Sequence, residues 1–510
     1  MCCCGIRRSE FWRRRARKGR GGSRRRAFEP TGPIREGPRA VGVLRLGALR
    51  NAPFGRDGLA SGTRQDHSGF LTSVFPNFEV SIPEIHFLDS RKSRMPKPPS
   101  VRPFDRHADT RVRTAMEDTR IVALVGPRQS GKTTLARQIA ADRGLNFVTL
   151  DDDQSRQFAV EDPDGFVRDL DRAVIDEIQR APRLILALKK SVDEDLRPGR
   201  FLITGSVDLF RSSLSPDSLA GRVETVQLLP LSQAEIERRR PSRFLERAFS
   251  ADFPKLKTTG RTTDLAARVL AGGFPEALAR PDPIRRGAWL NAYAESLADR
   301  DAADLADVLK TAELSRLLGL AAVGAGQTVN LAALARTLSV DAKTVDRWLS
   351  LLEQMFVVQR ISAWHRNDLK RLVKTPKLHF LDTGLLAALS RTDARLLAGD
   401  RQRLGTLLEG FVFSELAKMA AQQDERLYVS HFRDHDKDEV DLVLEQPGAI
   451  VGIEVKATAS VKPDDVRGLK ALQAATGKAF VAGIVLHDGD RIQQVGDRLF
   501  AMPFDQLWAD

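Results

Sequence analysis

Residues 121–134 read IVALVGPRQSGKTT, an apolar run of five followed at once by a glycine-bracketed loop and a Lys-Thr pair, with helix-forming sequence continuing to about residue 140. A short run with no polar position is the mark of a strand covered on both faces, as in a parallel sheet flanked by helices. The loop matches G-x-x-x-x-G-K-[ST] through Gly126, Gly131, Lys132 and Thr133, and it stands where that pattern has physical meaning, after a strand and at the opening of a helix. Glycines let the backbone wrap a phosphate with its N–H groups, and the helix N-terminus adds a favourable partial charge. The expectation is an α/β fold with a P-loop that binds ATP. In it Pro127, Arg128, Gln129, Ser130 and Thr134 complete the cradle, Lys132 reaches the β- and γ-phosphates, and the Thr133 hydroxyl holds Mg2+.

A hydrolytic site needs more than a cradle. About 40 residues on, RAVIDEIQRAP gives an apolar strand ending in Asp176-Glu177. Asp176 is expected in the Mg2+ shell and Glu177 as the group that polarises the attacking water. A third strand, RFLITGS, ends in Thr204 and Ser206 at the sheet edge where open α/β folds bind ligands, and one of the two is expected to sense the γ-phosphate. Arg222, in SLAGRVE, is a candidate arginine finger, supplied within the chain or by a neighbouring subunit of a homo-oligomer. The plainer alternative is an arginine paired with a surface acid.

At 510 residues the chain is long enough for several cores. Its formal charge of +13 suggests a polyanion partner, but residues 1–100 hold 21 Lys and Arg against 8 Asp and Glu, and the remainder balances at 59 of each. The basic excess belongs to the first hundred residues, so it carries no argument about the folded body. That arm, rich in Arg, Gly, Pro and Ser without sustained periodicity, reads as disordered. A nucleic-acid-binding arm, a transit peptide, or sequence upstream of a true start at Met95 or Met116 would each account for it. Cys2, Cys3 and Cys4 are the whole cysteine complement. The body therefore has neither a disulfide nor thiolate zinc ligands, which fits a cytoplasmic protein. No run approaches the 18 apolar residues of a membrane span, and no membrane partner is expected.

Five segments follow from the pattern: the arm (1–100), an α/β core (104–231), a helical lid (232–310) in which strands stop, a winged helix-turn-helix (311–375), and a small α/β domain (376–510). In the fourth, VNLAALARTLSVDAKTVDRWLSLLEQMFVVQRI gives helix, Ser339-Val340-Asp341 turn, helix and β-branched strand. If that module reads DNA, Lys343, Thr344, Asp346 and Arg347 meet base edges while Trp348, Leu349 and Leu352 face the core. The following WHRNDLKRLVKTPK is distinctly basic. Such modules also serve as plain packing units inside ATPases.

The fifth segment opens with a helix around TLLEGFVFSELAKMA and continues as three strands, LYVSHFRDH, DEVDLVLE and AIVGIEVKA. Glu454 and Lys456 fall on one strand face. With Asp441 on the preceding strand and Glu409 on the helix, the set resembles PD-(D/E)xK nucleases of restriction-endonuclease-like fold. The resemblance implies Mg2+ held by Glu409, Asp441 and Glu454, with Lys456 positioning the nucleophile, and Glu415 a weaker ligand. A simple charge pair on an exposed strand is the bland reading. His379, His431 and His435 show no metal-ligand spacing and read as surface or packing residues.

In order, GPRQSGKTT, IDEIQRAP, LITGS, SLAGRVETVQLLPLS, GGFPEAL (272–278), FLDTGLL (380–386) and EVDLVLE…IEVK resemble the prokaryotic AAA+-type ATPases with a C-terminal domain of unknown function, number 4143. The resemblance covers residues 104–510. It implies ATP binding, hydrolysis and a nuclease-like C-terminal fold, with DNA as a candidate partner; it supplies no substrate.

Overall fold

The computed structural model describes residues 104–207, 219–297, 311–367, 371 and 374–509. The N-terminal arm lies outside the described residues. From Phe104 the chain enters α1 (Ala108–Asp118) and then the apolar run, which forms β1 (Ile121–Val125). There follow α2 (Lys132–Arg143), β2 (Asn146–Thr149), α3 (Asp153–Glu161), α4 (Pro163–Arg168), β3 (Ala173–Asp176), α5 (Leu184–Glu194), β4 (Phe201–Gly205) and β5 (Val223–Gln227). The five strands make one parallel sheet in the order β2-β3-β4-β1-β5. Alternation explains why β1 and β4 carry no polar side chain before their last residues. Val122, Leu124 and Leu202 pack with α1 and α2 on one face, while Ile121, Ala123, Phe201 and Ile203 pack with α4 and α5 on the other.

Strand register fixes which residues share an edge. Ile121 pairs with both Phe201 and Val223, and Phe201 pairs with Ala173, so all four strands start level. The P-loop after β1, Asp176 at the end of β3 and Thr204 in β4 therefore meet at the carboxyl edge, at the point where the strand order reverses.

After β5 come α6 (Gln233–Ile236), α7 (Phe244–Ser250), β6 (Leu256–Thr258), α8 (Leu265–Ala271), α9 (Pro275–Leu278) and α10 (Pro283–Ser296). Strands do not stop here as expected, for β6 is the edge strand of a second sheet whose other members lie at the far end of the chain. Next, α11 (Thr311–Val323), α12 (Leu331–Leu338) and α13 (Ala342–Gln354) lead into an antiparallel pair, β7 (Val358–Ile361) and β8 (Lys377–Phe380). The turn between α12 and α13 has Ser339 at φ 56°, and Asp341 caps α13 by accepting the Thr344 N–H at 2.8 Å. Trp348, Leu349 and Leu352 are buried.

The last part has α14 (Thr383–Leu389), α15 (Ala394–Gly399), the twenty-residue α16 (Arg401–Ala420), β9 (Tyr428–Arg433), β10 (Glu439–Gln446), β11 (Ala449–Lys456), α17 (Arg467–Thr476), β12 (Phe480–His487), β13 (Arg491–Gly496) and β14 (Leu499–Pro503). Its sheet is mixed and seven-stranded, β6-β13-β14-β12-β11-β10-β9, where three strands were expected. Among the described residues no helix is long and apolar enough to cross a membrane.

Candidate functional site

The loop after β1 is built around backbone that side chains would obstruct. A Cβ at Gly126 would stand 2.2 Å from the Leu228 carbonyl oxygen of the neighbouring strand's extension, so the close crossing requires glycine. Gln129 (φ 64°) and Gly131 (φ 97°) turn the loop through left-handed conformations before α2 begins at Lys132. Arg106 supports the loop from behind, donating to the carbonyls of Ser130 (2.5 Å) and Leu229 (2.7 Å) and pairing with the buried Glu235 (3.1 Å). The Tyr293 hydroxyl, on a ring stacked with Trp289, donates to the Arg128 carbonyl at 3.1 Å.

Lys132 is buried and folds back over the loop, its Nζ donating to the carbonyls of Gly126 (3.0 Å) and Pro127 (2.9 Å). Burial lowers its pKa to about 8 against the opposing pull of Glu177 and Asp176. An ammonium held only by neutral carbonyls is poised to exchange them for an anion.

Asp176 is nearly inaccessible and gathers hydroxyls. Thr204 Oγ1 donates to it at 2.6 Å, Thr133 Oγ1 at 3.0 and 3.2 Å, and Thr149 Oγ1 at 3.3 Å. Oxygen ligands about 2.1 Å from Mg2+ in an octahedral shell stand roughly 3 Å apart, so Thr133 and Asp176 fit as adjacent ligands. Glu177 takes a left-handed backbone (φ 59°) that aims its carboxylate into the cleft. Its N–H donates to Thr204 Oγ1 at 3.1 Å, and Gln179 Nε2 donates both to its carboxylate and to Ser206 Oγ, the latter at 2.9 Å. Neither Thr204 nor Ser206 lines the cleft, and Asp176 lies behind Thr133; of the two acids only Glu177 faces the opening, bonded to Thr204 through its N–H and linked to Ser206 through Gln179.

The cleft itself, about 370 Å³, is bounded by the loop residues Arg128, Gln129 and Gly131 to Thr134, by Glu177, and by the Asp151–Arg180 ion pair (2.6 Å). Its far wall is Pro275 and Glu276 of α9. Sequence reasoning missed Arg106, Thr149, Arg180 and Glu276 as site residues; the GGFPEAL segment was visible only as a motif without a place. That segment is fixed from behind by Asp382, which accepts the Gly273 N–H at 2.7 Å and caps α14 through Leu385 N–H at 2.9 Å. Gly272 (φ 65°) makes room, since a Cβ there would lie 2.4 Å from the Asp382 carboxylate.

Arg222 sits at the opposite edge of the sheet. It immediately precedes β5, so about five strand residues, roughly 15 Å, separate it from the P-loop. Its guanidinium pairs with Asp193 at 2.5 and 3.0 Å. It is no finger for its own chain's site, because it lies beyond the amino ends of the strands.

In the C-terminal sheet, Asp441 Oδ2 accepts the Val455 N–H at 2.9 Å and Lys456 Nζ pairs with Glu454 at 2.5 Å. Sequence reasoning missed the central cation, Lys377. Buried at the start of β8, it contacts Glu409 at 3.2 Å and Glu439 at 2.8 Å. Burial first, and then the charge of Asp441, push Glu409 and Glu454 up to about 8; burial also raises Asp441. The expected three-carboxylate shell of Glu409, Asp441 and Glu454 is not assembled. Among the described residues no three His, Cys, Asp or Glu are placed to hold a metal ion. The reason is local: the Lys377 ammonium already stands against Glu409, and Lys456 against Glu454.

Glu415 lies away from this cluster, buried against the ATPase-side segment, where it accepts the Gln233 N–H (2.9 Å) and pairs with Lys418 (2.9 Å). His379 and His431 are buried, and His379 stacks on Phe413; His435 is exposed. On α13, Lys343, Asp346 and Arg347 are exposed, but Asp346 pairs with Arg360 and the Thr344 hydroxyl is spent on Asp341 at 2.7 Å.

Comparison with known proteins finds three family matches along the chain. Residues 118–237 match the family described as AAA domain, 262–396 a Domain of unknown function (DUF8612), and 404–507 the Domain of unknown function (DUF4143). The uncharacterized proteins Rv2008c of Mycobacterium tuberculosis and Mb2031c of Mycobacterium bovis are each 31% identical over 412 residues, 79% of this chain and 84% of theirs. Shikimate kinase 1 of Sodalis glossinidius is 28% identical over 165 residues, 31% of this chain and 94% of that enzyme. Among solved structures, the Walker-type ATPase PABY2304 of Pyrococcus abyssi aligns over 56% of this chain and 95% of its own at 16% identity, with a TM-score of 0.32, too low to bear on domain arrangement. The chain belongs to the family of the two mycobacterial proteins, and in it an AAA domain is joined to the C-terminal Domain of unknown function (DUF4143).

Proposed function

We propose that the protein is a Mg2+-dependent ATPase whose nucleotide cycle drives a nucleic-acid-directed C-terminal half. The observation that carries the first part is the meeting of Lys132, Thr133 and Glu177 around one open cleft, with Asp176 bonded to Thr133 behind them. ATP entering it displaces the Gly126 and Pro127 carbonyls from Lys132, which then pairs with the β- and γ-phosphates. Mg2+ held by Thr133 and Asp176 would neutralise the phosphate oxygens. Glu177, tethered by Gln179, orients a water and accepts its proton as the water oxygen bonds to the γ-phosphorus and the bond to the ADP oxygen breaks. Nucleotide state reaches the rest of the chain through α9, because the same segment that walls the cleft hangs on Asp382.

The reading is tested by labelled-nucleotide binding and phosphate release. Lys132→Ala should abolish both, and Glu177→Gln should keep binding while losing turnover; unchanged hydrolysis in either variant overturns it. For the C-terminal half the support is chemical. Helices α11–α13 with β7 and β8 follow winged-helix order, and Asp441, Glu454 and Lys456 follow the PD-(D/E)xK order on β10 and β11. One observation favours a second reading, a nucleotide-dependent switch whose nuclease-like domain binds without cutting. Lys377 already pairs with Glu409 and Lys456 with Glu454, two of the three carboxylates a metal would use. Mg2+- or Mn2+-dependent cleavage of DNA that disappears in Asp441→Ala would exclude that second reading.

A further inference from the structure

Beyond β7 the chain folds over β9, the free edge of the large sheet. His431 N–H donates to the Ser362 carbonyl (3.0 Å), and Trp364 N–H donates to the His431 carbonyl (2.5 Å), so residues 362–364 extend that edge. Between this segment, the end of β9 and α17 lies a cavity of about 590 Å³. Its inner lining is aromatic, Trp364 and Phe432 with ring centroids 6.1 Å apart. Its rim is basic, with Arg366, Lys374, Arg433 and His435 all exposed. The acid in the lining, Asp434, already accepts the Asp438 N–H at 2.8 Å.

In the lining the Trp364 indole N–H is buried without a hydrogen-bond partner among the described residues, and the buried His431 ring has the Thr375 backbone beside it but no well-formed hydrogen bond. Trp364 is 4% exposed and His431 3%. A buried indole N–H ordinarily finds an acceptor, because leaving it unpaired costs the full desolvation of the group. His431 stays neutral, its pKa lowered to about 4 by burial and by Lys377, so one ring nitrogen can donate and the other accept. An occupant that brings hydrogen-bonding edges to these groups, a flat face to the aromatic rings and negative charge to the rim satisfies all three at once.

We propose that this cavity is a docking site for single-stranded nucleic acid. One unstacked base lays its face against Phe432 and turns an edge to Trp364, accepting a hydrogen bond from the in-plane indole N–H, while Arg366, Lys374 and Arg433 hold the adjoining phosphates. A duplex does not serve, because its bases are stacked and paired and cannot reach donors below the protein surface. The position suits the C-terminal cluster, since Glu439, paired with Lys377, stands opposite Arg433 across β9 and β10. The proposal rests on the reading of the C-terminal half as nucleic-acid-directed and supplies its substrate class; it depends on neither ATP hydrolysis nor cleavage.

The test is fluorescence anisotropy of the full chain with a fluorescein-labelled single-stranded oligonucleotide, its duplex, and polyglutamate as competitor, at two salt concentrations. Single strands should bind at least about tenfold tighter than duplex, with affinity falling as salt rises. Arg366→Glu and Lys374→Glu, both at exposed positions, should each weaken single-strand binding by about tenfold, and Trp364→Phe by several-fold. ATP turnover should stay at the wild-type level in all three, which also reports that they fold. Competition by polyglutamate equal to that by unlabelled oligonucleotide would assign the rim to acidic peptides and overturn the proposal. Tight nucleic-acid binding that none of the variants alters would overturn the pocket while leaving the nucleic-acid reading of the C-terminal half intact. Absence of binding to any nucleic acid would remove both.

Discussion

The two charged centres of this protein use the same residue types in opposite ways. In the nucleotide cleft the one buried cation, Lys132, is held by neutral carbonyls, and the acids Asp176 and Glu177 are held by hydroxyls and an amide. Neither Lys132 nor Glu177 is bonded to an opposite charge, and only Asp151 and Arg180 in the cleft wall neutralise each other, so the field at the loop is available to a ligand. In the C-terminal cluster Lys377 contacts Glu409 and Glu439, and Lys456 contacts Glu454. Charge there is already paired from within, and burial first, with the neighbouring Asp441 second, pushes the carboxyls of Glu409 and Glu454 up to about 8. The difference teaches that motif residues in the right order specify a place but not a state. An open site keeps its cation exchangeable; a closed one carries its own.

The largest effect that would break this contrast lies in the cleft. Lys132→Ala should reduce ATP turnover by at least about a thousandfold, since the lost cation neutralises charge that develops on the transferring phosphoryl group. Phosphate release under saturating ATP measures it. A mild loss would mean that Arg128 or Arg180 carries the charge instead.

Next in size is Lys377→Ala. Removing this buried ammonium leaves Glu409 and Glu439 uncompensated, and stability should fall by about 3–5 kcal/mol, measured by chemical denaturation. If the cluster can take a metal once its own cation is gone, millimolar Mn2+ should restore part of the loss in Lys377→Ala and none in wild type. Stability indifferent to the substitution would show that Lys377 is not the neutralising charge.

How much of this was readable in the sequence follows from how local each specification is. The P-loop is legible because a five-residue apolar run, two glycines and a Lys-Thr pair are contiguous, and each has a mechanical reason to be there. Asp176 is legible because it ends a strand of the same sheet. Arg106 and Asp382 are not, since each acts on backbone carbonyls or N–H groups more than a hundred residues away or nearly so, and pattern carries no trace of such bonds. Lys377 is invisible for the same reason, being one lysine in a basic stretch until the fold turns it inward. Strand β6 has three exposed residues and no alternation that marks it, and only its pairing with β13 makes it a strand. Strands β12 and β14 did leave a signal in the apolar runs FVAGIVLH and LFAMP; counting three strands overlooked it.

A smaller effect sharpens the link between the two centres. Asp382→Ala removes the acceptor of Gly273 N–H behind α9 and uncaps α14, yet touches nothing in the cleft. The Michaelis constant for ATP should rise several-fold as Glu276 and Pro275 loosen, with kcat lowered less. Asp382→Asn keeps an acceptor oxygen and should restore most of the affinity. Equal loss in both variants would place the effect in the charge of Asp382 and not in the position of α9.

The smallest expected effect concerns Arg222, and it decides whether the cleft is complete within one chain. Its guanidinium is committed to Asp193 at the amino edge of the sheet, on the far side from the phosphate loop. An ion pair this open to solvent contributes little to stability. Arg222→Ala should therefore leave ATP turnover within a factor of about two of wild type, provided each chain works alone. A finger lent to a neighbour would give the opposite result, a fall of about a thousandfold. Mixing Arg222→Ala chains with Lys132→Ala chains separates the two cases. Independent chains give only the diluted activity of the Arg222→Ala protein. A shared site restores turnover where an intact P-loop meets an intact Arg222, and the rate then rises above the sum of the two variants measured apart.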